Sequence, residues 1–319
     1  MANQSLNGKA FEFACLSALI KFIEQPIIID KTAPAYITVE KDFNSLSSDD
    51  QKTMITAAKK GIQQVIDYEP NLSIETTPLH LYIQTDSKGK TGDVRDIVCI
   101  KPEENWQIGI SCKNNHHAVK HSRLSPKIDF GKSWMNVKNT DQYRTDTLPV
   151  WNFLKNTIEE NPDTKWSDLK EYKETLVYAP LLEAFSNELR ILCKDTQNIK
   201  NLFYYLLGSY DFYKVIANKT NKNTEVMIFN LYGTLNKSVN GIKPKRKVHK
   251  TLLPSRLYSI EPAQDKKGVS PTTIKAVFDD WSLSFRIHNA RTLVENSLKF
   301  DINLKSVPTD LQNIISPWE

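Results

Sequence analysis

Three short apolar runs constrain this chain most. "LHLYIQTD" at 79–86, "RDIVCI" at 95–100 and "WQIGISCK" at 106–113 read as strands, separated by the turn-forming stretches "SKGKTG" and "KPEEN". They commit part of the chain to a sheet, and a turn as short as "KPEEN" suits antiparallel pairing of the second and third runs. Helical patterns surround them. Residues 8–24 carry one, stopped by Pro26, and 47–67 carry another, with Ser and Asp capping candidates before Met54, Ala58, Ile62, Val65 and Ile66. Residues 150–215 read as mainly helical with a polar break at "ENPDTK", and further strands are expected at 225–233 and 281–288. Helices and strands are mixed without an internal repeat, so the class is α/β or α+β. The expected division is 1–145 with the three runs, a helical region at 146–222, and 223–319 with a basic stretch and C-terminal strands, or one compact domain made of all three.

The 319 residues are 40% hydrophobic and 25% charged, the balance of a folded chain, and the net charge of +5 permits a polyanionic partner. Cys15, Cys99, Cys112 and Cys193 are scattered without a CxxC pair, which argues for reduced core thiols rather than zinc or redox chemistry. No apolar run approaches the ~20 residues that span a bilayer, and the N-terminus lacks a signal-peptide pattern. A cytoplasmic protein with no membrane partner is expected.

Charge placement then narrows the chemistry. Side chains alternate along a strand, so Ser111 and Lys113 share one face while Ile108, Ile110 and Cys112 share the other. Asp96 heads the preceding run, and antiparallel pairing brings it toward Lys113. Such a pair by itself is as well explained by a structural ion pair. Glu12 adds a second observation: at about 100° per residue it points away from the polar stripe of Ser17, Lys21 and Glu24, and is the one charge on the apolar side of its helix. A buried acid there needs a lysine, helix-start amides or a metal as partner.

Asp96, Ser111 and Lys113 with an N-terminal helical Glu12 resemble the active site of PD-(D/E)XK nucleases. The blocks "NGKAFEFACL", "GDVRDIV", "ISCKNNHHAVKHSRLS" and "FRIHNARTLVENSLKFDI" together resemble HaeIII-type type II restriction endonucleases, in order and across nearly the whole chain. The resemblance implies a PD-(D/E)XK core, a mixed β-sheet flanked by helices with an inserted helical region, and Mg²⁺-dependent double-strand cleavage at GGCC. Asp96 would bind the metal and Lys113 would be the catalytic lysine. Ser111 would stand at the position of the usual acid, a departure that shifts coordination toward Glu12 and the Cys112 carbonyl. Asp93, three residues before Asp96, would line the entrance or cap the turn.

Double-stranded DNA is the implied partner. The polar stretch after Lys113 offers Asn114, Asn115, His116, Lys120, His121 and Arg123. Adjacent His116 and His117 diverge on regular backbone, and without a cysteine pair zinc is disfavoured. "KPKRKVHK" at 243–250 supplies Lys245, Arg246 and Lys247 with no acid among them, a pattern that also suits a solvated loop. Arg256 and Arg286 complete the candidates, with Arg256, Arg246 and Arg123 as possible guanine readers. A palindromic target favours a homodimer on DNA, and a restriction enzyme works beside a modification methyltransferase. Two rivals remain: a repair or junction nuclease that cuts by DNA structure, and a DNA-binding protein whose nuclease site has decayed at Ser111.

Overall fold

The computed structural model describes residues 2–85, 92–115, 118–265 and 268–319, apart from the side chains of 2–4, 118 and 265. Two compact units interleave along the chain. Met1–His117, Leu207–Leu252 and Thr309–Glu319 form the first, and Ala118–Leu206 with Leu253–Pro308 form the second.

The first unit is a mixed sheet flanked by helices. Helix α1 (Ala2–Phe22) buries Ala10, Phe11, Ala14, Cys15, Ala18 and Leu19 at helical spacing. After strand β1 (Ile27–Ile29) come α2 (Pro34–Asn44), α3 (Ser48–Tyr68) and a short turn of helix, α4 (Pro70–Ser73). The Ser47 hydroxyl caps α3 by accepting from the Asp50 amide, and Asp49 and Asp50 in the first turn complement the helix dipole. Strands β2 (Leu79–Ile83), β3 (Ile97–Lys101) and β4 (Trp106–Asn114) form an antiparallel meander. The expected "KPEEN" turn is a single 3₁₀ turn at Pro102–Glu104, closed by Asn105 in the left-handed region with φ 48°. "SKGKTG" lies almost wholly outside the described residues.

Strands β6 (Phe212–Asn218), β7 (Asn223–Phe229) and β12 (Asn313–Pro317) complete the sheet in the order β1-β2-β3-β4-β6-β7-β12. The β1/β2 and β4/β6 pairs are parallel, and the others are antiparallel. Ile108, Ile110 and Cys112 of β4 and Tyr213, Val215 and Ala217 of β6 join the core made with α1 and α3. Helix α3 approaches β6 closely at Gly61, where a Cβ would come 2.4 Å from Val215 Cγ1. Strand β6 corrects the expectation of helix through residue 215. Its first six residues are all buried, and a strand covered on both faces has no alternation to separate it from a buried helix.

In the second unit, helices α5 (Phe130–Met135), α6 (Asp141–Glu160), α7 (Ala179–Leu192) and α8 (Thr196–Leu207), with a π-helical turn at Lys173–Tyr178, pack on an antiparallel sheet. Its strands are β5 (Ala118–Leu124), β8 (Leu257–Asp265), β9 (Gly268–Phe278), β10 (Trp281–Asn289) and β11 (Leu298–Ser306), ordered β5-β11-β10-β9-β8. Phe185 of α7 sits between Phe130, Phe285 and Phe300, with ring centroids 4.8–5.1 Å away. Trp281, Leu283, Phe285 and Ile287 form the helix-side face of β10, as their alternation predicts, while Ser282 and Ser284 on the opposite face are buried as well and Arg286 is exposed. All four cysteines are buried and free. Among the described residues no helix is long and apolar enough to cross a membrane.

Candidate active site

The antiparallel β3/β4 pair brings together the charges that the sequence sets 17 residues apart. Lys113 Nζ lies 3.1 Å from Asp96 Oδ2. The same oxygen accepts from the Cys112 backbone amide at 2.6 Å and from the Ser111 hydroxyl at 3.2 Å. The backbone secures this convergence, since the Asp96 amide donates to the Ile110 carbonyl at 2.8 Å and extends the β3/β4 register by one residue. Three donors on one carboxylate oxygen fix its direction.

Glu12 approaches from α1. It is 6% exposed, and its Oε2 accepts from Lys9 Nζ at 3.1 Å. Burial first, and then the negative charge of Asp96, push its carboxyl up to about 8, against the pull of Lys9 and Lys113. Burial draws the Lys113 ammonium down, but the Asp96 charge and hydrogen bond, with Glu12 beyond them, outweigh it and leave the group above the usual lysine value. Burial and the neighbouring Cys15 hold the Cys112 thiol well above its ordinary range, so this residue offers the site its backbone rather than a thiolate.

Three residues near these side chains escaped the sequence reading. Lys214 on β6 is the register partner of Ser111 and is buried. Burial, then the Lys113 charge, bring its ammonium down to about 7 against Glu225 and Asp96. The signal was present in "FYKVIAN", hidden because the helical reading extended through residue 215 and took in Lys214. Gly109 is the second. A Cβ there would lie 1.8 Å from Arg95 Cδ, so the Arg95 side chain occupies the space that any other residue would fill. Arg95 itself is the third. Its Nε and Nη2 donate to Asp93 Oδ1 and Oδ2 at 2.8 and 2.7 Å, Nη1 reaches Gln107 at 3.3 Å, and the guanidinium stands 3.7 Å from the Tyr210 ring centroid. Asp93 is thus the clamp on Arg95. Burial would lift its carboxyl, but hydrogen bonds from Arg95 and Gln84 hold it below the usual range.

The chain matches the model of the HaeIII restriction endonuclease family over residues 8–308. It belongs to that family. Over 325 aligned positions that cover all of both chains, this HaeIII-family restriction endonuclease is 39% identical to the type II restriction enzyme HaeIII of Haemophilus aegyptius. No solved structure matches it. Family membership makes the chain a site-specific deoxyribonuclease.

The remaining candidates in this HaeIII-family chain fall into distinct settings. Asn114 ends β4, and its Oδ1 is buried without a hydrogen bond among the described residues. Asn115 has φ 54°, donates to the Ala217 carbonyl at 2.8 Å and accepts from the Lys219 amide at 2.7 Å, which ties the ends of β4 and β6. His116, with His117, lies outside the described residues. Lys120 folds over the Tyr205 ring at 4.5 Å, where burial lowers its ammonium. His121 and Arg123 are exposed on β5. Lys245, Arg246 and Lys247 are exposed on an irregular segment whose backbone is strapped down. Asn236 Nδ2 donates to the Arg246 carbonyl at 3.0 Å, its Oδ1 accepts from the Val248 amide at 2.9 Å, and Gln312 Nε2 donates to the Lys247 carbonyl at 2.9 Å. Arg256 stands 5.0 Å from the Tyr258 ring centroid, and Arg286 is exposed on β10.

Proposed function

We propose that the chain hydrolyses both strands of duplex DNA at a short palindrome, GGCC, using a PD-(D/E)XK-type site with Asp96 and Lys113 at its centre. One observation carries the reading: Lys113 Nζ, the Cys112 amide and the Ser111 hydroxyl converge on Asp96 Oδ2 across an antiparallel strand pair. In this role Lys113 sets a positive charge beside the reacting phosphate, and Asp96 holds Lys113 in place.

The donor set suits Mg²⁺. Asp96, Glu12, the Ser111 hydroxyl and the Cys112 carbonyl are all hard oxygen donors. The raised carboxyl of Glu12 reports two acids crowded together under burial, an arrangement that a divalent cation relieves. A bound Mg²⁺ would lower the pKa of water and offset charge developing on the phosphoryl group. Among the described residues no three His, Cys, Asp or Glu side chains cluster as a metal cage, so Ser111 and backbone oxygen would complete the coordination.

The exposed cations at Lys245, Arg246 and Lys247 fit phosphate contact. A palindromic target fits a homodimer on DNA, and a cytoplasmic nuclease of this kind works beside a methyltransferase that protects host sites. Ser111 in place of an acid keeps one rival alive, a protein that binds its target without cutting. Digestion of a plasmid with mapped GGCC sites, in Mg²⁺ and in EDTA, beside Lys113→Ala, separates the readings. Discrete fragments ending within GGCC, lost in EDTA and in the variant, are expected. An intact plasmid would favour the binding protein, and unfragmented nicking at distorted DNA the structure-specific nuclease.

A further inference from the structure

The five-stranded sheet has a second face, opposite the one its helices cover. Cross-strand register arranges this face in rows: Arg123, Lys299 and His288; then His121, Asp301, Arg286 and Thr273; then Asn303, Ser284, Lys275 and Glu261, of which Ser284 alone is buried. Arg123, Lys275, Arg286 and Lys299 are its cations, against Asp301 and Glu261. Asp301 is already committed, because Oδ1 meets His121 Nδ1 at 2.6 Å and Oδ2 meets His288 Nε2 at 2.8 Å. His288 Nδ1 also lies 3.1 Å from the Asn289 carbonyl, so both ring nitrogens face an oxygen. Arg123 is steadied by Ser297 at 3.0 Å and Glu295 at 3.8 Å. Arg286 is exposed near the middle of the face and makes no hydrogen bond or ion pair among the described residues.

We propose that this open face docks duplex DNA along the major groove, with Arg286 reading a base edge and the His121–Asp301–His288 tie holding the surrounding strands in register. Charge selects the partner: cations ring the face, while its central acid is shared between two imidazoles. Arg123 on β5 and Lys275 on β9 are three inter-strand spacings apart, about 14 Å at ~4.8 Å each, and four residues apart along the strands, about 13 Å at ~3.3 Å each, which sets them about 20 Å apart on the diagonal with Arg286 between them. An arginine between two phosphate-contacting rims suits bidentate recognition of guanine. The inference rests on the nuclease reading and deepens it by placing sequence discrimination in the second unit.

The test uses the full-length protein and does not presuppose the target. Wild type, Arg286→Ala and Lys275→Gln each digest bacterial genomic DNA in Mg²⁺, and the ends are sequenced to define the preferred site. Affinities for a duplex bearing that site and for a scrambled duplex are then measured in EDTA over a salt series. Arg286→Ala is expected to narrow the preference for the defined site tenfold or more and to relax at least one base position, with an unchanged melting temperature. Lys275→Gln is expected to weaken both duplexes alike and to lower the salt slope. Unchanged site choice, affinity and salt slope in both variants would overturn the docking surface while leaving the nuclease intact. Wild type that cuts nothing would overturn the nuclease reading and this inference with it.

Discussion

Glu12→Gln tests the electrostatics of the site before any DNA is added. Glu12 is 6% exposed, and its carboxyl is pushed up to about 8 from 4.5 by burial and by Asp96. The folded value is raised, so its stabilising share is fully present below the unfolded value and is lost as pH climbs from about 4.5 through about 8. That span is worth up to about 4–5 kcal/mol at roughly 1.4 kcal/mol per pKa unit. Glutamine cannot ionise and escapes this loss, but it weakens the hydrogen bond from Lys9, a cost of about 1 kcal/mol. In EDTA at pH 8 the variant should be more stable by about 3 kcal/mol, or roughly 6 °C at ~2 °C per kcal/mol, and near or below wild type at pH 5. Added Mg²⁺ should raise the wild-type melting temperature and leave the variant nearly unmoved, because ligand binding to the native state stabilises it. Thermal melts from pH 5 to 8.5, with and without Mg²⁺, read all three effects. Equal pH slopes in the two proteins, or a variant that melts lower at pH 8, would refute the buried-acid account.

Other perturbations reach neighbouring parts of the design. Gly109→Ala drives a methyl group into Arg95 and disturbs its Asp93 clamp, so urea unfolding should show a loss of about 2–4 kcal/mol; no loss would mean that Arg95 moves aside freely. Ser111→Ala removes one of three donors to Asp96 Oδ2, and single-turnover cleavage should slow about 10–100-fold, the equivalent of one hydrogen bond to a charged group, with DNA affinity unchanged. An unaffected rate would leave Ser111 outside the reaction. Asn236→Ala releases the Arg246–Val248 backbone from its strap. KM should rise several-fold with kcat steady, and an unchanged KM would remove the basic segment from DNA binding.

The core of the candidate site was legible in the sequence because its geometry is local. Asp96 and Lys113 lie on two strands joined by one 3₁₀ turn, so alternation and turn chemistry suffice to bring them together. Glu12 was legible for a different reason: an acid on the apolar side of a helix must find a partner wherever the helix packs. Lys214 was not legible. It enters the site through parallel pairing of β4 with β6, whose intervening residues 118–206 belong to the other compact unit, and no local pattern encodes that register. Nor could the sequence show that Lys120 folds against Tyr205 while His121 and Arg123 face outward, or that Asp93 clamps Arg95 across Gly109. Sequence alone determined which neighbours along one hairpin meet, because dihedral periodicity acts over a few residues. Tertiary structure decided which distant strand lies alongside and how deeply each charge is buried, because those follow from packing the whole chain around its core.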